Sequence, residues 1–161
     1  EDPFSGRVEV RGNTVNDDPE SLKVLEEVRK AATGKNGVYI VDNLPPAENE
    51  RGVKAFYVAA DVVMQKSTRE GFGLTVSEAL WAKRPVVGGN VGGITLQIQD
   101  GETGYLVDSI ESAAEAVVKL MAGEATRERM GTAGHAYVGK HFLLPRLLVD
   151  ELRFLTGILD S

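Results

Sequence analysis

Residues 62–93 read VVMQKSTREGFGLTVSEALWAKRPVVGGNVGG. The apolar run at 62–66 predicts a strand, and the glycine-bearing residues 67–73 predict a loop. Residues 74–83 have helix-forming composition, and the apolar run at 85–88 carries proline at its first position, where a strand tolerates it. Strand, loop, helix and strand in this order are typical of α/β proteins with parallel sheets.

The same alternation extends in both directions from this stretch. Strands are predicted at 7–12, at 37–41 and after a turn within 101–107, and a proline-containing loop is predicted at 42–48. Helices are predicted from 19 to near 34, at 51–60, from 110, at 124–137 and at 144–159. The helix from 110 is expected to bury one face, made of Ile110, Ala113, Ala114, Val117 and Met121. We therefore expect one doubly wound, mostly parallel, Rossmann-like α/β domain over residues 1–161, with helices on both faces of the sheet.

Composition narrows the class of protein. Of the 161 residues, 42% are apolar and 26% are charged, and the net charge is −6. A nucleic-acid surface is disfavoured, because phosphate binding relies on clustered lysine and arginine. There is no cysteine, and His135 and His141 lack metal-ligand spacing, so neither a metal nor a cofactor is expected. The absence of a long apolar run and of a signal-peptide pattern in residues 1–7 predicts a cytoplasmic protein without a membrane span.

The candidate site is expected at the carboxyl ends of the strands, where open α/β sheets bind ligands. Four loops reach that edge, at 42–46, 67–73, 88–93 and 107–110. Two of them are rich in glycine, and both are expected to lead into helices. A small anionic ligand fits such a place, because backbone N–H groups bind one without net positive charge.

The loop at 67–73 and the helix after it are the centre of this site. Gly71 and Gly73 allow the backbone to approach a ligand closely, and the helix from Leu74 would point unpaired N–H groups at a diphosphate. Glu70 and Glu78 could each accept hydrogen bonds from the hydroxyls of a different sugar ring. The alternatives are that Glu70 only caps the helix and that Glu78 is a solvated helix residue.

Other positions keep two interpretations. Gly92 and Gly93 belong to the candidate site or form an ordinary turn between a strand and a helix. Thr75 and Ser77 are either ligand contacts or residues of the first helical turn. Trp81, alone in mid-helix, is expected to pack in the core or against another domain rather than to stack on a ligand.

Residues 67–80, STREGFGLTVSEAL, resemble the Glu-x7-Glu motif of retaining glycosyltransferases with the two-domain GT-B architecture. Three further segments follow in that family's order and spacing: PVVG at 85–88, VGGI at 91–94 and DGETGYLV at 100–107. The resemblance runs from about residue 7 to the C-terminus. It implies the C-terminal, donor-binding half of a GT-B enzyme.

Within that family, the chain is most similar to the trehalose-forming glycosyltransferring synthases. The similarity lies in NDDPE at 16–20 and in the STREGFGLTV run at 67–76. Those enzymes transfer glucose from a nucleoside diphosphate glucose to glucose. The resemblance therefore implies a nucleoside diphosphate sugar as substrate.

The resemblance also implies a role for each motif residue. Glu70 would be the catalytic-site glutamate, beside the 3- and 4-hydroxyls of the transferred sugar, and Glu78 would bind the ribose hydroxyls. The remaining substrate-binding residues would be Gly71, Phe72 and Gly73 around the sugar, Leu74 and Thr75 at the diphosphate through their backbone N–H groups, Asn43 and Leu44 at the base, and Gly92 and Gly93 in the second glycine loop.

One departure from the family pattern concerns the start of the chain. The family's C-terminal domain normally begins with a further strand and helix, whose arginine and lysine clamp the diphosphate. Residues 2–4 echo the sequence beside that motif, but no arginine precedes them, and Arg7 is a poor substitute. The first strand–helix unit and the N-terminal acceptor-binding domain are therefore expected to be missing. That would leave a sheet edge through which two copies could dimerise.

Two kinds of function follow from these expectations. The first is a donor-binding domain with little transferase activity by itself. The alternative is a non-catalytic nucleotide-binding module or a truncated fragment. A flavodoxin-like domain is disfavoured, because the first strand would end in Gly12-Asn13-Thr14 instead of an acidic cluster.

Overall fold

A computed structural model of the chain describes residues 6–12, 19–42 and 45–159. The chain divides into two compact units, residues 1–53 and 54–161, each built on parallel strands. None of the helices in the described ranges combines the length and the apolarity that crossing a membrane requires.

The first unit is built around two parallel strands. β1 (Val8–Gly12) pairs with β2 (Val38–Asp42), and α1 (Pro19–Ala32) connects them. Arg29 in the last turn of α1 forms an ion pair of 2.6 Å with Asp42 at the end of β2. The predicted strands and the first predicted helix are confirmed.

The helix α2 (Pro46–Ala59) begins earlier than the sequence suggested. A start at residue 51 after a loop at 42–48 is wrong, because the helix already begins at Pro46. Proline suits the first helical position, since its backbone φ is fixed near the helical value and its missing N–H is not needed there. α2 ends in the second unit.

The second unit contains a parallel sheet in the order β3-β4-β5. Its elements are β3 (Val63–Gln65), α3 (Leu74–Trp81), β4 (Val86–Gly89), α4 (Ile94–Gln97) and β5 (Gly104–Val107). Val86 and Val87, consecutive in the central strand, are both fully buried. Because successive side chains of a strand point to opposite faces, both faces of this sheet are covered.

Three helices close the chain: α5 (Ile110–Ala122), α6 (Glu124–His141) and α7 (Leu144–Leu159). α6 continues past the predicted end at residue 137. The buried face of α5 was predicted incorrectly, since Ala116 and Leu120 are buried while Ala114 and Ile110 are exposed. Two apolar stripes overlap on this alanine-rich helix, and the stripe with the bulky Leu120 packs on β4 and β5 in one cluster.

Both ends of α5 are fixed by side chains. Ser109 and Ser112 form a reciprocal capping box at its start, with Ser112 N–H donating to Ser109 Oγ at 3.0 Å. At its end, the Arg127 guanidinium of α6 donates to the carbonyls of Leu120 and Met121 at 2.8 and 2.9 Å. The contacts of Arg127 therefore hold the junction between α5 and α6.

Candidate functional site

Two glycine-rich loops meet at the carboxyl edge of the sheet in the second unit. They follow the parallel strands β3 and β4, so they leave the sheet at the same edge. The N–H of Gly93 donates to the carbonyl of Gly71 at 2.9 Å. A Cβ atom on Gly93 would lie 2.6 Å from Phe72 Cα, so only glycine permits this approach. The predicted loops at 67–73 and 88–93 are therefore in direct backbone contact.

The carboxylate of Glu70 is held where β3 ends. Its Oε2 accepts hydrogen bonds from Ser67 Oγ at 3.2 Å and from Gln65 Nε2 at 3.4 Å, and its Oε1 accepts one from Gly71 N–H at 3.1 Å. Gln65 is the last residue of β3 and also donates to Ser67 Oγ at 2.9 Å. The N-cap of α3 is Gly73, and no side chain caps the helix, so the alternative that Glu70 caps it is wrong.

The start of α3 presents unpaired backbone donors. Gly73 has φ 85° and ψ 64°, a left-handed conformation that favours glycine, and its carbonyl accepts from Val76 N–H at 2.9 Å. The N–H groups of Leu74 and Thr75 have no acceptor among the residues that the structure describes. Leu74 is 67% exposed, so this helix end reaches solvent. An anion placed there would meet the positive end of the helix dipole.

Glu78 lies one turn further along α3 and is exposed. Its Oε2 accepts a hydrogen bond of 3.1 Å from the hydroxyl of Tyr57, a buried residue of α2. The side chain is therefore oriented by a partner and is not simply solvated. Ser77 behaves as a residue of the first turns, because its hydroxyl donates to the Leu74 carbonyl at 3.0 Å.

An aromatic cluster supports the loop that carries Phe72. The Phe72 ring is 40% exposed and lies 5.8 Å from the ring of Phe142, measured between centroids. Tyr137 contacts Phe142 at 5.8 Å and donates its hydroxyl to the Leu96 carbonyl at 3.1 Å. The end of α6 therefore packs beside the candidate site.

Trp81 has a packing role in the structure. Its indole stacks on His135 of α6 at 4.2 Å between ring centroids, and His135 Nδ1 lies 2.6 Å from the Trp81 carbonyl oxygen. These contacts join α3 to α6. The indole is nevertheless 46% exposed, so the expectation of core packing is wrong, and packing against another domain stays a prediction.

Sequence reasoning missed four residues that shape this site. Tyr57, Gln65, Ser67 and Gln97 bind the carboxylates or the loop carbonyls. Ser67 could have been noticed, since it belongs to the quoted motif, but the other three carry no local signal. The predicted base contacts Asn43 and Leu44 lie outside the described residues, as does most of the 16–20 segment. Within the described ranges, no group of three or more acidic or histidine residues could hold a metal ion.

A cleft of about 470 Å³ lies at the opposite edge of this sheet. It is lined by Asp61, Ala82, Lys83, Arg84, Glu124, Arg127, Glu128 and Thr132. Asp61 precedes β3 and Arg84 precedes β4, so this is the amino edge of the strands. Its acidic and basic side chains balance, and no sequence motif points to it.

Solved structures define the class of fold. The chain is similar to the C-terminal domain of a glycosyl transferase group 1 family protein (LpcC) from Francisella tularensis, with a TM-score of 0.70, 27% identity, and coverage of 86% of this chain and 70% of that one. Sucrose-phosphate synthase from Thermosynechococcus elongatus gives a TM-score of 0.80 at 22% identity, over 96% of this chain and 39% of that one. The predicted fold class is confirmed: the chain has the α/β fold of one part of a GT-B glycosyltransferase.

Residues 10–137 match the glycosyl transferases group 1, and the chain belongs to this family. It is 44% identical to a trehalose synthase of Rubrobacter xylanophilus over 92% of this chain, and 38% identical to one of Pyrococcus furiosus over 91%. The chain spans 35% of the length of each of these two relatives. The resemblance to GT-B glycosyltransferases and to trehalose synthases is confirmed.

Proposed function

We propose that the chain binds the sugar donor of a retaining glycosyltransferase, and that this donor is a nucleoside diphosphate glucose. One observation carries the proposal: the Glu70 carboxylate is fixed at the end of β3, in the loop that leads to the free N–H groups at the start of α3. Two relatives are trehalose synthases, and a structural neighbour, Alr3699/HepE of Anabaena, was solved with UDP-glucose (TM-score 0.75, 18% identity, 94% of this chain, 41% of that chain). Both favour a glucose donor.

Each group at the site has a task in this function. Negative charge develops on the diphosphate as it leaves, and the N–H groups of Leu74 and Thr75 would stabilise it at the helix start. A carboxylate has about four acceptor positions, and Glu70 uses three of them on protein donors, so capacity remains for a sugar hydroxyl. Glu78 would accept hydrogen bonds from the ribose. Gly71, Phe72, Gly73, Gly92 and Gly93 would shape the sugar pocket.

The acceptor sugar would bind to a different part of a longer enzyme. The two trehalose synthases are about three times as long as the part that this chain matches. We therefore expect little transfer by the chain alone and activity once an acceptor-binding domain is supplied. The alternative is a nucleotide-binding module without activity. A transfer assay with and without the N-terminal part of a trehalose synthase separates the two.

Calorimetry tests the binding site directly. UDP, ADP and UDP-glucose are titrated into the chain and into Glu78→Ala, Glu70→Ala and Glu115→Ala, the last being an exposed glutamate of α5 as a control. Glu78→Ala should weaken all three ligands, whereas Glu70→Ala should remove only the affinity that glucose adds to UDP. Failure of every nucleotide to bind at millimolar concentration would refute the proposal.

Two further expectations belong to this proposal. The protein would act in the cytoplasm, and two copies would pair through an exposed strand edge. Light scattering over a wide range of concentration tests the pairing. A constant monomer mass would contradict it.

A further inference from the structure

Gln97 connects the two glycine loops from behind. It is the last residue of α4 and is fully buried. Its Nε2 donates to the carbonyl of Phe72 and lies 3.4 Å from the carbonyl oxygens of both Gly73 and Gly93. Three carbonyl oxygens surround this nitrogen, so the reversed amide orientation would place oxygen against oxygen. One side-chain amide therefore holds both loops.

The contacts of Gln97 also fix the direction of two backbone N–H groups, because the peptide bond is planar. In a trans peptide, the carbonyl of one residue and the N–H of the next point in opposite directions. Because the carbonyls of Phe72 and Gly73 point inward at Gln97, the N–H groups of Gly73 and Leu74 point away from it. Leu74 on that outer side is 67% exposed and Phe72 is 40% exposed, whereas Gly73 between them is buried.

We propose that Gln97 is a positioning residue that aims the N–H groups of Gly73 and Leu74 at the diphosphate of the donor. The inference rests on the function proposed above. Gln97 Oε1 is buried without a partner among the described residues. A buried acceptor without a hydrogen bond costs stability, so an apolar side chain of equal size would avoid that cost. What glutamine adds is the donor that orients the loop.

Three variants test this role against ordinary packing. Gln97→Met keeps the size and removes the donor, Gln97→His keeps an N–H donor at similar reach, and Gln99→Met makes the same change at an exposed position nearby. Titrations use UDP and uridine, which differ in the diphosphate. We expect Gln97→Met to weaken UDP about tenfold or more, the effect of losing charge-assisted hydrogen bonds. Uridine binding should stay within about twofold, since Glu78 is untouched.

The outcomes separate the two proposals. Recovery of UDP affinity by Gln97→His, with Gln99→Met unchanged, supports the positioning role. Equal affinity of Gln97→Met and the unaltered chain for UDP overturns that role and leaves the donor site standing. Absence of UDP binding to the unaltered chain overturns both.

If Gln97→Met does not fold, NMR of the unaltered chain still tests whether the N–H groups of Gly73 and Leu74 face the diphosphate. In ¹⁵N-resolved spectra, the N–H signals of Gly73 and Leu74 should move strongly downfield on addition of UDP and stay in place with uridine. Shifts at Thr75 and Glu78 without shifts at Gly73 and Leu74 would overturn the inference.

Discussion

Gly93→Ala tests how tightly the two glycine loops are joined. Gly93 has φ −66° and ψ −15°, which alanine adopts without strain, so the effect is purely steric. The added Cβ would lie 2.5 Å from Gly71 O and 2.6 Å from Phe72 Cα, and the latter distance is about 0.8 Å short of the 3.4 Å at which ordinary contact begins. Both obstacles are backbone atoms, so no side-chain rotation relieves them, and the loops must separate.

The expected loss of stability follows from these contacts. Overpacking costs about 1–3 kcal/mol, and the hydrogen bond from Gly93 N–H to the Gly71 carbonyl is worth about 0.5–1.5 kcal/mol. Together they predict a decrease of about 1.5–4.5 kcal/mol in the free energy of unfolding. For a chain of this size, the melting temperature should fall by about 3–18 °C.

Gly71→Ala is the matched control, because it makes the same change in the opposing loop. A Cβ on Gly71 has no atom within 4 Å, and its φ is not in the left-handed region. Its stability should stay within about 0.5 kcal/mol of the unaltered chain. Urea unfolding followed by far-ultraviolet circular dichroism measures both variants. If the two midpoints shift equally, the contact between the loops is not what stabilises this edge.

Three other predictions concern single side chains. Tyr57→Phe removes the hydrogen bond to Glu78 and should weaken UDP and UDP-glucose equally, by about three- to tenfold; a change in the ratio of the two affinities in calorimetry would contradict it. The pKa of Glu111 is lowered, first by its own backbone N–H and then by the hydroxyl of the capping Ser109. Its carboxylate therefore stabilises the fold above the ordinary pKa of 4.5, and this contribution is lost as pH falls through the lowered pKa. An NMR titration of Glu111 should have its midpoint below 4.5, and a midpoint at or above 4.5 would refute the prediction. Arg127→Met should cost about 1–3 kcal/mol in urea unfolding by uncapping α5, whereas Arg129→Met, at an exposed position, should be neutral; equal losses would exclude the capping role.

The order of elements could be predicted because its signals are local. Runs such as 85–88, flanked by glycine and proline, mark strands, and helical composition between them implies parallel pairing. The errors arose where local signals competed. At α2, the proline-containing composition of residues 42–48 favours a loop, although proline also suits a helix start at Pro46. In α5, two apolar stripes were available, and only packing on the sheet decides between them.

The residues of the candidate site likewise include some with a local sequence signal and others without one. Glu70, Glu78 and the glycines could be proposed as site residues because they lie within one motif of fixed spacing. The residues that orient them lie far away in sequence: Tyr57 is 21 residues from Glu78, and Gln97 is 25 from Phe72. Hydrogen bonds over such separations are created by the fold, and a polar residue in a strand or helix gives no sign of its partner.

These remote contacts bear on how the site would work. Gln65 and Ser67 hold the Glu70 carboxylate from the strand, and Gln97 and Gly93 hold the loop from behind. Donors fixed before the ligand arrives stabilise developing charge without reorganisation during the reaction. A site held on these two sides should therefore bind the diphosphate with little change in the backbone between residues 70 and 75. In ¹⁵N relaxation, the backbone of these residues should consequently be as rigid in the free chain as that of the helix which follows, and mobility that is lost only with UDP would show that the ligand, rather than the fold, organises the loop.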